Sequence, residues 1–139
     1  MTKEVLVSLV GNQITEDGDD NIELVTVANY YMRNGHHYIL YDEVPEDDGE
    51  PIHNMLKFDE SMFEMTKKGG MATQMLFDPR ESHTTYYNTP AGTMNIETIT
   101  TQYTMVEEDD YIEVYIRYAL EINYNYTSEN EILLRVSPK

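Results

Sequence analysis

The chain has 139 residues, nine Lys and Arg against 26 Asp and Glu, and a formal net charge of −17. That charge repels nucleic acid and anionic lipid, which are held through basic patches, and the only basic doublet is Lys67-Lys68. There is no cysteine, which excludes disulfides, thiol nucleophiles and thiolate-bound metals, and the length sets a single domain, 1–139, as the expectation.

Helix signals are almost absent, because no apolar stripe recurs at i, i+3, i+4. Strand signals follow one another along the whole chain. In order, β-branched, tyrosine-rich and alternating runs predict strands at Glu4–Gln13, Ile22–Arg33, His36–Val44, Ile52–Asp59 and Met62–Lys67. The same pattern continues at Met71–Asp78, His83–Thr89, Thr93–Val106, Tyr111–Tyr124 and Ile132–Val136. The links are built of turn residues: EDGDDN, NG, PEDDGEP, DES, KGG, DPRES, TPAGT, EEDD and NYTSEN. Consecutive hairpins without a crossover helix make an antiparallel up-and-down meander. An open sheet of that size leaves two sticky edges, so an all-β fold closed into a barrel of about 8–10 strands is expected.

The Val5–Gly11 run is short, alternates and lacks a small-residue cleavage site, so a signal peptide is not expected. No apolar run is long enough to span a bilayer as a helix. The expectation is a soluble cytoplasmic protein that binds neither nucleic acid nor membrane. The charge should also cost stability through self-repulsion, so added salt should raise the melting temperature, and a flat or falling trend would refute this.

The period-2 alternation assigns faces. Asn34-Gly35 is a type I′ hairpin signal, since both central residues need positive φ. A two-residue loop pairs Arg33 with His36, Met32 with His37, Tyr31 with Tyr38 and Tyr30 with Ile39. One face then carries Ile22, Leu24, Ala28, Tyr30, Met32, His37, Ile39, Tyr41 and Glu43, and its apolar character turns it inward. The run "YIEVYIRYALEINY" likewise sends Ile112, Val114, Ile116 and Tyr118 inward. In "SMFEMTKKGGM" the face of Phe63 and Met65 includes Lys67, and a loop over Lys68–Gly70 would place Met71 and Met75 on the same side. A four-residue EEDD loop would turn Thr98 outward unless a bulge intervenes.

The blocks "YYMRNGHHYILYDE", "MTKKGGMATQMLF", "YYNTPAGTMNIET" and "VYIRYAL" occur in the same order as in the YwiB-like proteins, and the chain resembles that family over essentially its whole length. These are small bacterial proteins of uncharacterised function with a calycin-like, or lipocalin-like, β-barrel. The resemblance implies that fold and no particular reaction, and it favours Tyr41, Glu43, Gly69, Tyr87 with Gly92, Thr98 and Tyr118. Two positions depart from the family pattern. Lys67 stands where an arginine is usual, giving a point charge instead of a bidentate fork, and Ala28 stands where a glycine is frequent.

No G-x-S-x-G, H-E-x-x-H, P-loop or G-x-G-x-x-G pattern is present, and no residue pattern requires a cofactor or a metal. His36 and His37 are neighbours in a strand and face opposite sides, so they cannot chelate together. The acidic runs EDGDD, EVPEDDGE and EEDD lack calcium-loop spacing and read as solvated turns. Nine methionines could fill a core or line an adaptable pocket. Tyr31, Tyr38, Tyr111 and Tyr115 read as exterior cross-strand pairs.

The candidate site is therefore Glu43, Lys67, Tyr41 and Tyr118, with Tyr30 and Thr98 as further members. An inward carboxylate needs a partner, and Lys67 or a tyrosine hydroxyl could supply it. Three readings follow: a non-enzymatic binder of a small, partly apolar ligand in the lumen; an acidic interaction or structural module with a packed, ligand-free barrel; and an enzyme using Glu43 as acid or base. The pattern leans towards the binder. It does not set the oligomeric state.

Overall fold

The computed structural model describes residues 3–15, 18–44, 49–69 and 73–139. Ten strands are present: β1 Glu4–Thr15, β2 Gly18–Arg33, β3 His36–Glu43, β4 Ile52–Phe58, β5 Phe63–Lys68, β6 Thr73–Phe77, β7 His83–Thr89, β8 Gly92–Glu107, β9 Ile112–Ile122 and β10 Asn125–Pro138. Among the described residues no helix is long and apolar enough to cross a membrane.

All ten strands form one antiparallel sheet in the order β6-β5-β4-β3-β2-β1-β10-β9-β8-β7. The two ends of the chain meet in mid-sheet, where β1 and β10 pair from Val5 opposite Pro138 to Ile14 opposite Glu129. The seam of the barrel falls instead between β6 and β7. There the Thr85 hydroxyl donates to the Gln74 carbonyl at 3.0 Å. Nearby, the ring of Phe77 on β6 lies 4.7 Å from that of Tyr118 on β9. The fold is a nearly closed barrel, which hides most of the edge that an open meander would expose.

The Asn34-Gly35 hairpin has the expected register, Arg33 opposite His36 through Tyr30 opposite Ile39, and both turn residues have positive φ. Elsewhere the strands outrun their sequence signals. β2 begins at Gly18, inside the predicted EDGDDN turn, because its ladder with β1 continues to Thr15 opposite Gly18 and pairing outweighs the poor strand preference of Asp and Asn. β10 begins at Asn125 instead of Ile132, since the β9–β10 turn is only Asn123-Tyr124, with φ of 50 and 70°. A register shift between Tyr126 and Ser128 then brings Ser128 and Asn130 into the interior.

A bulge settles the face of Thr98. Odd residues of β8 oppose even residues of β9 from Glu107–Ile112 to Tyr103–Ile116, as the sequence implies. The register then slips at Thr101, so that Thr100 faces Tyr118 and Thr98 faces Leu120. Both threonines turn inward, at 7% and 2% exposure.

Inward side chains from β3 to β6 stack in rows that run around the barrel wall. His37, Phe58, Phe63 and Phe77 make one row. Ile39, Leu56, Met65 and Met75 make the next, and Tyr41, Asn54, Lys67 and Thr73 the third. The rows grade from aromatic at one end of the barrel to polar at the other. Ile22 and Met32, expected inside, lie towards opposite ends of β2 and are mostly exposed, Ile22 at 75%. Met71 lies outside the described residues, as do residues 16–17 and 45–48 of the acidic runs.

Candidate functional site

The two ends of the barrel are built differently. At the first, the rings of His37 and Phe58 stack 5.1 Å apart and those of Phe58 and Phe63 5.3 Å apart, with Phe77 beside them, and all three phenylalanines are fully buried. The polar groups among them are paired. The Tyr30 hydroxyl lies 2.7 Å from His37 Nδ1, and Glu107 Oε1 lies 3.3 Å from His37 Nε2. The Tyr103 hydroxyl donates to the carbonyls of Asp59 at 2.7 Å and Met62 at 3.1 Å, tying β8 to the β4–β5 loop. Burial pushes the Tyr103 hydroxyl far up, with the Asp59 charge adding to it. The rings plug this end beneath an open depression of about 450 Å³ bordered by His37, Asp59 and Glu107.

The opposite end is hollow. A cavity of about 360 Å³ is walled by Leu9, Leu24, Met65, Met75 and Ile132. Tyr41, Glu43, Lys67 and Tyr118 supply its polar lining, with Glu23 at its edge. A second hollow of about 410 Å³ shares Gly11, Ile22 and Tyr118 with the first and extends towards Asn21 and Asn130. Gly11 faces inward in the Val5, Val7, Leu9 series, and a Cβ placed on it would meet nothing within 4 Å. The missing side chain leaves open space between the two hollows.

Four of the six residues picked from sequence thus surround one space, and their placement has local causes. Lys67 sits in the third row because the β4–β5 ladder sets it opposite Asn54, which itself pairs with Tyr41. Glu43 follows Tyr41 by one alternation and stands at the rim. Asn54 Nδ2 donates to Glu43 Oε1 at 3.1 Å, and Lys67 Nζ lies 3.5 Å from the same oxygen. The side chains of Lys67 and Glu43 remain 41% and 37% exposed. The pair is therefore a rim pair bathed by solvent, and neither charge is buried at the full desolvation cost. Just beyond the rim, Gly69 approaches the chain so closely that a Cβ would lie 2.6 Å from the Pro51 carbonyl oxygen, at φ +112°.

The two tyrosines behave alike. Burial, with the Glu43 charge second, pushes the Tyr41 hydroxyl up to about 12, and burial alone does the same for Tyr118. Both keep their protons at neutral pH. Neither hydroxyl makes a hydrogen bond among the described residues. In the row beside Tyr118, the buried Thr100 hydroxyl also has no partner.

Tyr30 and Thr98 face inward but do not line this cavity. Tyr30 belongs to the plugged end, against His37. Thr98 is buried between His83 on β7 and Leu120 on β9 in the sheet. Sequence reasoning missed Asn54, although its place in the Ile52, Asn54, Leu56, Phe58 alternation marks a polar residue on an apolar face. It also missed Gly11, for the same reason in reverse, and the Tyr30–His37–Glu107 chain, whose last member comes from a distant strand. Among the described residues no group of three or more His, Asp or Glu side chains is arranged to hold a metal ion.

Fold and site together define a class: an antiparallel β-barrel plugged by aromatic rings at one end and open at the other into an apolar lumen with a charged rim. The chain belongs to the family described as "Domain of unknown function (DUF1934)", which matches residues 7–134. Its fold is similar to the crystal structure of the ywiB protein from Bacillus subtilis, with a TM-score of 0.81 and 14% identity over 99% of this chain and 92% of that one. The YwiB-like resemblance in the sequence therefore holds at the level of family and barrel fold. No curated protein matches the chain.

Proposed function

We propose that the protein is a non-enzymatic binder of a small, partly apolar molecule, held in the lumen behind the Glu43–Lys67 rim. One observation carries this reading. The inward tyrosines at the two ends differ: Tyr30 and Tyr103 have partners for their hydroxyls, whereas Tyr41 and Tyr118 present protonated hydroxyls to an apolar cavity and bond to nothing described. A few convergent polar groups left open to an apolar cavity are how small-molecule sites orient a ligand, so these hydroxyls favour a ligand as the partner. The walls suit an apolar body, with Met65 and Met75 able to adapt to its shape. A cytoplasmic location belongs to the same proposal, on the sequence grounds given above.

Native mass spectrometry of the protein purified from its own host tests it. A bound small molecule is expected, and Met75→Phe, which narrows the lumen, should reduce its occupancy. Repeated absence of any adduct, together with a crystal structure whose lumen is filled by side chains, would overturn the proposal.

A second reading has its own support. Outside the barrel the rings of Tyr31 and Tyr38 stack at 4.8 Å and 6°, and Arg135 lies 4.5 Å over the Tyr111 ring. With a net charge of −17, this exterior suits an acidic interaction module for a basic partner. Capture on an immobilised basic partner that is lost at high salt, with an empty lumen, would favour that reading.

A further inference from the structure

We infer that the lumen takes an amphiphile with a cationic amine head, whose ammonium group sits on the outer oxygen of Glu43 while its apolar tail runs down between Leu9, Leu24, Met65 and Met75. The inference rests on the lumen-binding reading and specifies its ligand.

The first ground is how Glu43 is used. Both of its contacts, from Asn54 at 3.1 Å and from Lys67 at 3.5 Å, converge on Oε1. Oε2 has no described partner. A carboxylate oxygen of this kind accepts N–H donors strongly, and an ammonium with three donors is a natural match at the mouth of an apolar tube. The second ground is the local charge. The cavity is lined by two carboxylates, Glu23 and Glu43, and by one cation, Lys67, which is already engaged by Glu43. An anionic head would have to compete with Glu43 for that lysine. The third ground is the whole molecule, whose formal charge of −17 draws cations in and repels anions before contact. The fourth is the pair of tyrosine hydroxyls. Each has lone pairs to offer the remaining ammonium hydrogens, and neither is committed to the protein.

A matched set of probes separates headgroup from tail: octylamine, octanol and octanoate, titrated calorimetrically near neutral pH. Octylamine should bind at least about tenfold more tightly than octanol, the worth of one charge-assisted hydrogen bond, and octanoate most weakly. Glu43→Gln should bring octylamine down to the octanol level and leave octanol unchanged. Lys67→Met, which frees Glu43, should strengthen octylamine binding. Gly11→Phe fills the open space between the two hollows without altering charge and should abolish binding of all three. Met75→Phe serves the same purpose should Gly11→Phe fail to fold by circular dichroism.

The outcomes are distinct. If none of the three probes binds, the lumen reading itself falls and the amine inference falls with it. If octanol equals octylamine, or octanoate exceeds it, the lumen reading stands and the amine inference is overturned. If octylamine binds the lumen-filled variant at full strength, it is adsorbing to the acidic exterior, and the inference is again overturned.

Discussion

The plugged end and the open end use the same residue types for opposite purposes. At the plugged end, His37, Tyr30, Tyr103 and Glu107 are saturated: both imidazole nitrogens face a polar partner and the tyrosine hydroxyls donate or accept within the protein. At the open end, Tyr41, Tyr118 and Glu43 keep unused hydrogen-bonding capacity beside a space. Both ends mix buried and exposed members, so the difference lies in whether hydrogen-bonding capacity is spent and not in burial. The barrel thus differs along one axis, with cohesion at the aromatic end and, on the proposed reading, recognition at the other. It follows that substitutions at the two ends should fail in different ways.

The largest difference should come from the core row. Phe63→Ala should cost about 3–5 kcal/mol in denaturant unfolding, because it opens a cavity among rings that are fully buried. Glu43→Gln at the open rim should cost under about 1 kcal/mol, since the pair it breaks is solvent-exposed. A Glu43→Gln cost of several kcal/mol would break the comparison and make Glu43 a register lock.

Alkaline pH sharpens the contrast. The Tyr41 and Tyr118 hydroxyls titrate near 12 when folded, against an ordinary value of 10.0. Below pH 10 both states are protonated, so these groups add no pH dependence and their full contribution is present. As pH rises from 10 through 12 the unfolded chain loses protons that the folded chain keeps, and stability is lost. Each tyrosine gives up at most about 1.4 kcal/mol per pH unit over that window. Tyr41→Phe and Tyr118→Phe should flatten this loss when unfolding is followed across the range. An unchanged alkaline slope in the double variant would show that neither hydroxyl is buried in the folded protein.

At neutral pH the same substitution should read differently at the two ends. Tyr103→Phe leaves two loop carbonyls without their donor and should cost about 1–3 kcal/mol. Tyr118→Phe breaks no described hydrogen bond and should change stability by less than about 0.5 kcal/mol. Equal costs would mean that Tyr118 has a partner in the folded state and that the open end is not spare.

Much of the plan was legible because alternation is a local property. The Asn34-Gly35 register needed only the turn chemistry, and it placed Tyr41 and Glu43 on the inner face. The alternation Phe63, Met65, Lys67 placed the cation on the same side. What stayed hidden depended on events at a distance. The slip at Thr101 that turns Thr98 inward has no residue signature, since Thr, Gln and Tyr occupy ordinary strand positions. Tyr30 could be assigned to the interior but not to an end, because its partner His37 is held in turn by Glu107 from the far end of β8. The first half of β10 was lost to composition: NYTSEN looks like a loop, and only its ladder with β9 makes it a strand.

A small effect of opposite sign concerns the turns that cap the two ends. The β2–β3 turn at the plugged end is Asn34-Gly35, and the β9–β10 turn at the open end is Asn123-Tyr124, with positive φ at all four residues. Gly35 adopts this conformation without steric cost, whereas Tyr124, at φ 70°, carries a Cβ against it. Asn123 compensates in part, since its Oδ1 accepts from the Asn95 amide at 3.0 Å and its own amide donates back to the Asn95 carbonyl at 2.8 Å. The Tyr124 hydroxyl, mostly exposed, accepts only a 3.2 Å bond from Asn95 Nδ2. Tyr124→Gly should therefore stabilise the protein by about 0.5–1 kcal/mol, the relief of strain less the extra chain entropy of glycine. Gly35→Tyr should destabilise by at least as much. A neutral or destabilising Tyr124→Gly would show that the Asn95–Tyr124 contact, and not the asparagine cradle, holds the open-end turn in place.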